Sequence, residues 1–484
     1  MPVTKVPKSE DFMEWYNEVV ELAELTDKRY PIKGMNIWRP YGQKIMNRID
    51  SFTRSEMDRI GVDEVSFPLL IPEKLFMKEA DQIKGFGGEV FWVTHAGNNP
   101  LPDKERWVVR PTSECAMYEI FPLWVRSHND LPLKTYQICN VFRYETKQTR
   151  AFMRVREIHF FEEHSVFATE EEARAHVETD LGVVRNVYDK LGITALYTKR
   201  PDWDKFPGAV DSIGGDVIMP SGRVLQCATV HYYGTNFAEA YDLTYEAADG
   251  THQHGHQTTY GMSERLTGAV VGCHGDDTGL ILPPHIAPTQ VVIVPIVKAD
   301  NKEPIIAYAK DVAERLRAAG VRVHLDDRDR SPGDRYYHWE LRGVPLRLEV
   351  GPKDMEHESV FAARRDVPGR DGKKPIPLAQ LADGVTALLD DIQGALRERQ
   401  DEFAKNRVRR VATVADAKAA IEADELDLVL EMPVSGDAAC QQIEQDLDYK
   451  TLGVPVDVDA DASGETCAVT GEPAVTWIRF ARTY

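Results

Sequence analysis

No apolar run in the chain approaches the ~18 residues that would suggest a membrane span. The opening stretch, MPVTKVPKSEDF, lacks the apolar core of a secretory signal, so the expectation is a cytoplasmic protein without a membrane partner. Cysteine is scarce: six residues, at 115, 139, 227, 273, 440 and 467, scattered without a framework. That excludes a disulfide scaffold and suits a reducing compartment. Cys115, Cys139, Cys227 and Cys273 sit in apolar surroundings and read as small buried hydrophobes. Positive charge is short as well, 58 Lys and Arg against 78 Asp and Glu, for a net charge of −20. Such a balance argues against nonspecific nucleic-acid binding, yet leaves room for a specific RNA partner if the cations are segregated. Residues 411–484 carry a net −11, so over half the excess lies in the last 74 residues. A P-loop is missing too: Gly85-Phe86-Gly87-Gly88 lacks the lysine and the helix that follow one, and reads as a mobile loop near a substrate entrance.

What is present fits about three domains, at roughly 150 residues each. The spacing of Phe12, Trp15, Val19 and Leu22 predicts a helix over 9–25 capped by Ser9. A second helix is expected over 42–60, ended by Gly61, and then a strand over 62–71. Trp107 to Arg110 reads as a strand leading into a helix that Thr112 or Ser113 would cap. A patterned helix follows over 170–192, then antiparallel strands over 211–245 with turns at Gly214-Gly215 and 220–222. The run His252-Gln253-His254-Gly255-His256 invites a metal reading, but it follows Asp249-Gly250 and reads as turn and loop. From Pro284 the pattern changes to alternating strands and helices, an α/β unit with a partly parallel sheet, followed by a charged helix over 378–408.

One stretch stands out against the acidic background. Apolar runs at 138–142 and 158–161 flank a loop in which Arg143, Lys147, Arg150, Arg154 and Arg156 outnumber Glu145 and Glu157. The pattern is two antiparallel strands joined by a cationic hairpin loop. A guanidinium holds phosphate through paired charge-assisted hydrogen bonds, so Arg143 beside Glu145 suits a nucleotide, with phosphate on one and base amino group on the other. On its own the stretch is equally consistent with a solvated charged hairpin.

Phe-Arg-x-Glu at 142–145 followed by Arg-x-Arg-Glu at 154–157 resembles motif 2 of the class II aminoacyl-tRNA synthetases. The segment 61–70 is similar to motif 1, and 261–266 with 274–277 and 282–284 to motif 3. Arg110-Pro111-Thr112-Ser113-Glu114 and Gly351-Pro352-Lys353-Asp354 narrow the resemblance to prolyl-tRNA synthetases of the archaeal/eukaryotic type, nearly end to end. The resemblance implies an α+β/α/β multidomain fold: a class II antiparallel-sheet catalytic domain over 1–284, an α/β anticodon-binding domain over 285–395, and a small α/β C-terminal domain over 396–484 whose linker helix is 396–409. It implies a homodimer through motif 1, and L-proline, ATP with Mg2+, and tRNA(Pro) as ligands. The interval from Ser165 to Arg265, about 100 residues, has no room for the large editing insertion of the bacterial type.

Residue by residue, the resemblance implies catalytic roles for Arg143, on the α-phosphate and proline carboxylate, and for Arg265, on the γ-phosphate. A proline pocket is expected from Thr112, Glu114, Arg143, Glu162, His164 and His231, with Phe160 as its ring wall. ATP contacts are expected from Arg143, Glu145, Arg154, Gln226, Thr229 and Arg265. Ile158 stands where relatives stack a phenylalanine on adenine, and Asp216, in place of a glutamate of relatives, is expected to help hold Mg2+. Glu340, Arg347, Lys353 and Asp354 fall where the family reads anticodon guanines, carboxylates accepting and cations donating. The C-terminal zinc positions of many relatives read Ser435, Cys440, Cys467 and Thr470, and since hydroxyls are poor structural zinc ligands, no zinc is expected. The closing IRFARTY matches the family's ending, whose tyrosine reaches back to the catalytic domain. Two rivals stay open: a class II synthetase of another specificity, such as threonine, although its active-site zinc pattern is missing; and a non-catalytic RNA-binding paralogue, against which the joint presence of Arg143, Glu145 and Arg265 speaks.

Overall fold

The structure, a computed structural model, describes residues 3–78, 88–102, 105–145, 147–298 and 301–484. The glycine group at 85–87 lies outside them. Among the described residues no helix is long and apolar enough to cross a membrane. An antiparallel platform holds everything else. Strands Leu133–Phe142, Glu157–Phe167, His256–Ser263, Val224–Gly234, Asp211–Ile218 and Ala195–Lys199 lie side by side in that spatial order. The platform's central strands, Glu157–Phe167, His256–Ser263 and Val224–Gly234, alternate side chains between a cavity face and a face packed by the helix Glu170–Leu191. That helix is capped by Thr169 in a capping box with Glu172 and closed by Gly192 in the left-handed region. Its Val177, Leu181, Val184 and Tyr188 join Trp15, Tyr16, Ile45, Phe161 and Tyr260 in the largest core.

Local chemistry moved several expected boundaries. The first helix is Phe12–Leu22, and Asp11, not Ser9, caps it by accepting from the N–H groups of Met13 and Glu14. The expected strand over 62–71 is two short strands in different sheets. Asp63–Glu64 pairs parallel to Leu133–Phe142, and Leu70–Pro72 pairs with Trp107–Val109. Pro68, which has no N–H, stands in the break, where the Phe67 N–H finds the Gln137 side chain at 3.0 Å. Gly214 and Gly215 make no turn: they lie inside Asp211–Ile218, and a Cβ on Gly214 would sit 2.1 Å from the Arg200 guanidinium. The histidine run is strand as well, His252–His254 pairing with Thr244–Glu246 around the Asp249-Gly250 turn, and His256 Nδ1 lies 2.9 Å from the Tyr232 hydroxyl.

Beyond Pro284, a five-stranded sheet has Val291–Pro295 parallel to both Val323–Leu325 and Leu346–Val350, then antiparallel Ser359–Arg364 and Lys373–Pro377. Helices Lys302–Ala318 and Leu381–Arg407 pack on it around Val312, Leu316, Leu388 and Ile392. The last unit does not stand apart. Its strand Lys450–Pro455 pairs with Ala195–Lys199, so its sheet continues the platform into eleven strands. Tyr484 closes the seam: its N–H donates to Val224 O, its hydroxyl lies 2.6 Å from Ser221 Oγ, and its ring meets Phe12. The expected zinc positions are gathered but do not suit the ion. Ser435 and Thr470 hydroxyls lie 3.3 Å apart, burial pushes the Cys440 thiol up to about 12, and only Cys467, held by those hydroxyls against burial, falls to about 7.

Candidate active site

The platform's open face carries a cavity of about 540 Å³. Arg143, at the end of Leu133–Phe142, and Arg265, the first residue of the helix Arg265–His274, both line it. Burial lowers both guanidinium pKa values, and Arg265 lowers that of Arg143 further, so the two positive ends are near enough to repel. Backbone carbonyls hold them there. Arg143 Nε donates to Pro111 O at 3.2 Å, while Arg265 donates to Met153 O at 2.9 Å and Gln226 O at 3.0 Å. The Met153 carbonyl is presented from a strained turn, since Phe152 beside it has a φ of 62°, uncommon for a bulky side chain.

The loop after Arg143 folds back on itself. Arg154 donates to Glu145 Oε2 at 2.9 Å and to the Tyr484 main-chain oxygen at 3.0 Å. Arg156 holds the Glu145 carbonyl, and the Lys147 N–H holds its carboxylate at 2.8 Å. Burial works against the charged form of Glu145, but these donors keep its carboxyl below the ordinary range. Gln226 and Thr229 line the same side and bond to one another.

The other end is a carboxylate pocket. Glu114 opens the helix Glu114–Trp124 and accepts from Thr112 and, at 3.0 Å, from the Tyr233 hydroxyl. Ser113, expected as the helix cap, spends its hydroxyl on Glu162 instead, and its N–H reaches the same carboxylate at 3.1 Å. Gln137, which pairs with Glu162 across the sheet, adds an N–H at 3.2 Å. His164 does not line the cavity. It stands behind Glu162, fully buried, with Nε2 at 3.3 Å from that carboxylate and Nδ1 at 2.9 Å from the Tyr118 hydroxyl. Burial disfavours both charges, yet the pair outweighs it: hydrogen bonds and the imidazolium bring Glu162 to about 2, and Glu162 with Glu114 raises His164. His231 differs. Burial, Arg200 and His164 lower it to about 3, so it is neutral, with Ser212 Oγ at 2.7 Å from Nδ1.

Phe160 walls this end, its ring resting on Gly261, where an added Cβ would come within 2.7 Å of it. Ile158 lines the same cavity. Asp216 does not fit its expected role. It lies outside the cavity, buried, with one oxygen 2.7 Å from Arg200 and the other accepting from Thr198, so its charge is already matched and it is not placed to hold Mg2+. Away from the cavity, Arg347 donates to Glu340 at 2.7 Å and stacks 3.9 Å over Tyr336, while Asp354 caps Gly351. The expected anticodon residues Glu340 and Arg347 are thus joined as a pair, with Lys353 in the adjoining helix Pro352–Glu356.

Several site residues escaped sequence reasoning: Ser113, Gln137, Tyr118, Tyr233, Ser212 and Glu264. Strand alternation was the available signal for Gln137, which shares a face with Cys139 and Val141 neighbours across from Glu162. Glu264 lines the cavity next to Arg265, and burial raises its carboxyl to about 7 even though the His159 N–H donates to it. Nothing in sequence alone marks a carboxyl that burial shifts this far.

Comparison with known proteins matches three family descriptions along the chain in order. They are the tRNA synthetase class II core domain (G, H, P, S and T) over residues 91–274, the anticodon binding domain over 290–388, and the prolyl-tRNA synthetase C-terminal domain over 414–484. The chain is 52% identical to the proline–tRNA ligase of Pyrococcus abyssi over 98% of both chains. It is 51% identical to that of Thermococcus kodakarensis over the full length of both, and 44% identical to that of Methanosarcina mazei over 99% of this chain and 98% of the relative. Among solved structures, the Giardia lamblia prolyl-tRNA synthetase in complex with prolyl-adenylate superposes with a TM-score of 0.95 at 36% identity, covering all of both chains. With a class II core, an anticodon-binding domain and this C-terminal domain in sequence, the chain belongs to the prolyl-tRNA synthetase family.

Proposed function

We propose that the protein is a proline–tRNA ligase that uses ATP to join L-proline to tRNA(Pro) through prolyl-adenylate. The observation that carries this reading is the convergence of Arg143 and Arg265 in one cavity whose far end is lined by Glu114 and Glu162. Proline's secondary ammonium offers two donors, which Glu114 and the Thr112 hydroxyl accept, while Phe160 covers the ring. Glu162 stays charged through its partner His164 and keeps Thr112 and Ser113 in place. Neutral His231 closes the pocket without adding a charge that would repel the ammonium.

Arg143 then holds the proline carboxylate against the α-phosphate. A carboxylate oxygen attacks the α-phosphorus and the bond to the β-phosphate breaks, releasing pyrophosphate that Arg265 steadies. In the second step the 3′-terminal ribose hydroxyl of tRNA(Pro) attacks the activated carbonyl and AMP leaves. Among the described residues no side chain is placed as a dedicated base. Positioning and fixed cationic charge supply the rate, terms worth several orders of magnitude elsewhere. Glu145, steadied by Arg154 and the Lys147 N–H, faces the adenine amino group. ATP arrives with Mg2+, and no residue is assigned to hold the ion.

The same reading places anticodon guanines at Glu340, Arg347, Lys353 and Asp354, and divides the chain at 284 and 395. It also makes the protein a cytoplasmic homodimer through motif 1. There Leu69, Leu123 and Trp124 expose large apolar surfaces, and Phe67 lies 5.7 Å from the Trp124 ring. The test is ATP–pyrophosphate exchange with a panel of amino acids, with and without tRNA. Exchange stimulated by proline above threonine, alanine and cysteine supports the reading; exchange driven better by another amino acid, or by none, overturns it.

A further inference from the structure

Glu163 follows Glu162 along Glu157–Phe167, and alternation turns it to the opposite face, away from the cavity. There the helix Glu170–Leu191 delivers His176 and Asp180, one turn apart on the same side. Glu163 and Asp180 are 0% exposed and His176 7%. One donor atom from each lies within 4.8 Å of the others. His176 Nε2 is 2.6 Å from Glu163 Oε1 and 3.3 Å from Asp180 Oδ1, and Ser165 Oγ donates to Glu163 Oε1 at 2.6 Å.

Beyond the 3.3 Å ion-pair contact to His176 and a proton shared between the two carboxyls, no donor reaches the remaining acceptors among the described residues. As carboxylates, Glu163 Oε2 and both Asp180 oxygens are buried and accept no hydrogen bond from another side chain or the backbone. A second strand adds an independent sign: Thr258, registered opposite Ser165 and therefore on the same face, buries an Oγ1 that is also unpartnered. Lys134, opposite Ser165 on the other neighbour, gives its ammonium to Ile60 O at 2.6 Å. Burial and the neighbouring Glu163 push the Asp180 carboxyl well above its ordinary range, so without a cation the two carboxyls share a proton that a bound ion would displace. A buried imidazole and two buried carboxyls with donor atoms this close together have the geometry of a cation site.

We propose that Glu163, His176 and Asp180 bind one divalent first-row cation, zinc or manganese, behind the sheet and apart from the catalytic cavity. One imidazole nitrogen with carboxylate oxygens and no sulfur is a donor set both ions accept. Bound there, the ion ties the helix Glu170–Leu191 to the strand that carries Glu162 on its other face.

The test strips the full chain with a chelator, adds Zn2+ or Mn2+ without ATP or proline, and measures retained metal by mass spectrometry after desalting, together with Tm. One equivalent per chain and a Tm several degrees higher are expected with at least one of the two ions, and which one separates zinc from manganese. Because Glu114, Glu162 and His164 also gather donor atoms, two variants divide the sites. Asp180→Asn should abolish retention, and Glu162→Gln should keep it. No retained metal in the wild type overturns the proposal, as does retention that survives Asp180→Asn; a proton shared by Glu163 and Asp180 would then account for the cluster. If Asp180→Asn fails to fold, anomalous difference density from a metal-soaked wild-type crystal decides. A peak among residues 163, 176 and 180 supports the site, and a peak elsewhere or none refutes it.

Discussion

At the phosphate end of the cavity, Arg143 and Arg265 take their positions from backbone carbonyls. At the amino-acid end, Glu114 and Glu162 take theirs chiefly from side chains: Thr112, Ser113, Gln137, His164 and Tyr233. A carbonyl fixes a guanidinium without cancelling its charge, so these bonds leave both cations able to meet a polyanion. His164 cancels one of two carboxylates, so the other end keeps a single negative charge, which matches one ammonium. Charge is conserved where several phosphates must be met and trimmed where one small cation must be chosen.

The largest effect that would test this contrast is Arg143→Ala, which should reduce proline-dependent pyrophosphate exchange by about 10³-fold, the cost of losing a preorganised charge-stabilising donor. Tm should fall far less than activity does. Loss of folding instead would make Arg143 a structural residue. Next comes Glu162→Gln. It strands His164, so we expect the KM for proline to rise about 10- to 100-fold and stability to drop by about 3 kcal/mol, as for breaking a buried pair, with the KM for ATP little changed. An equal rise in both KM values would erase the division between the two ends. Gly261→Ala is milder: its methyl would displace the Phe160 ring, raising the KM for proline severalfold in steady-state assays and leaving that for ATP alone.

The smallest effect is in pH. His231 titrates near its ordinary 6.5 when unfolded and at about 3 when folded. The unfolded state therefore binds the extra proton, and stability falls as pH drops below 6.5. The slope is at most about 1.4 kcal/mol per pH unit for each such histidine. Glu162 adds its own loss only below about 4.5, where the unfolded carboxyl protonates. His274, lowered to about 4 by burial, contributes to the first window too. Denaturation of His231→Gln between pH 6.5 and 4.5 should show a shallower slope than wild type; an unchanged slope would mean His231 is charged when folded.

The arginine end was the more legible one. Arg143 and Arg265 sit in short motifs whose chemistry is carried by the residue itself, and the cationic run at 143–156 stands out in an acidic chain. The carboxylate end depends on partners drawn from separate strands. Gln137 and Tyr233 meet Glu162 and Glu114 only through sheet register and helix packing, which no local pattern encodes. The same limit explains Asp216: the resemblance suggested a ligand, but Arg200, sixteen residues away, takes its charge in the folded sheet. It also explains the seam at Thr198 and Pro455, where strands over 250 residues apart pair and merge two sheets that composition alone separates. Helix ends were readable to within a few residues where a capping side chain or glycine marked them, as at Thr169 and Gly192.

A crystal structure with ATP and a non-reactive proline analogue tests the convergence of the two guanidinium groups most directly. The account predicts the α-phosphate within hydrogen-bond distance of Arg143, the terminal phosphate at Arg265, and the ring nitrogen at Glu114 and Thr112. A triphosphate bound away from either arginine, or an analogue whose nitrogen faces Arg143, would contradict it.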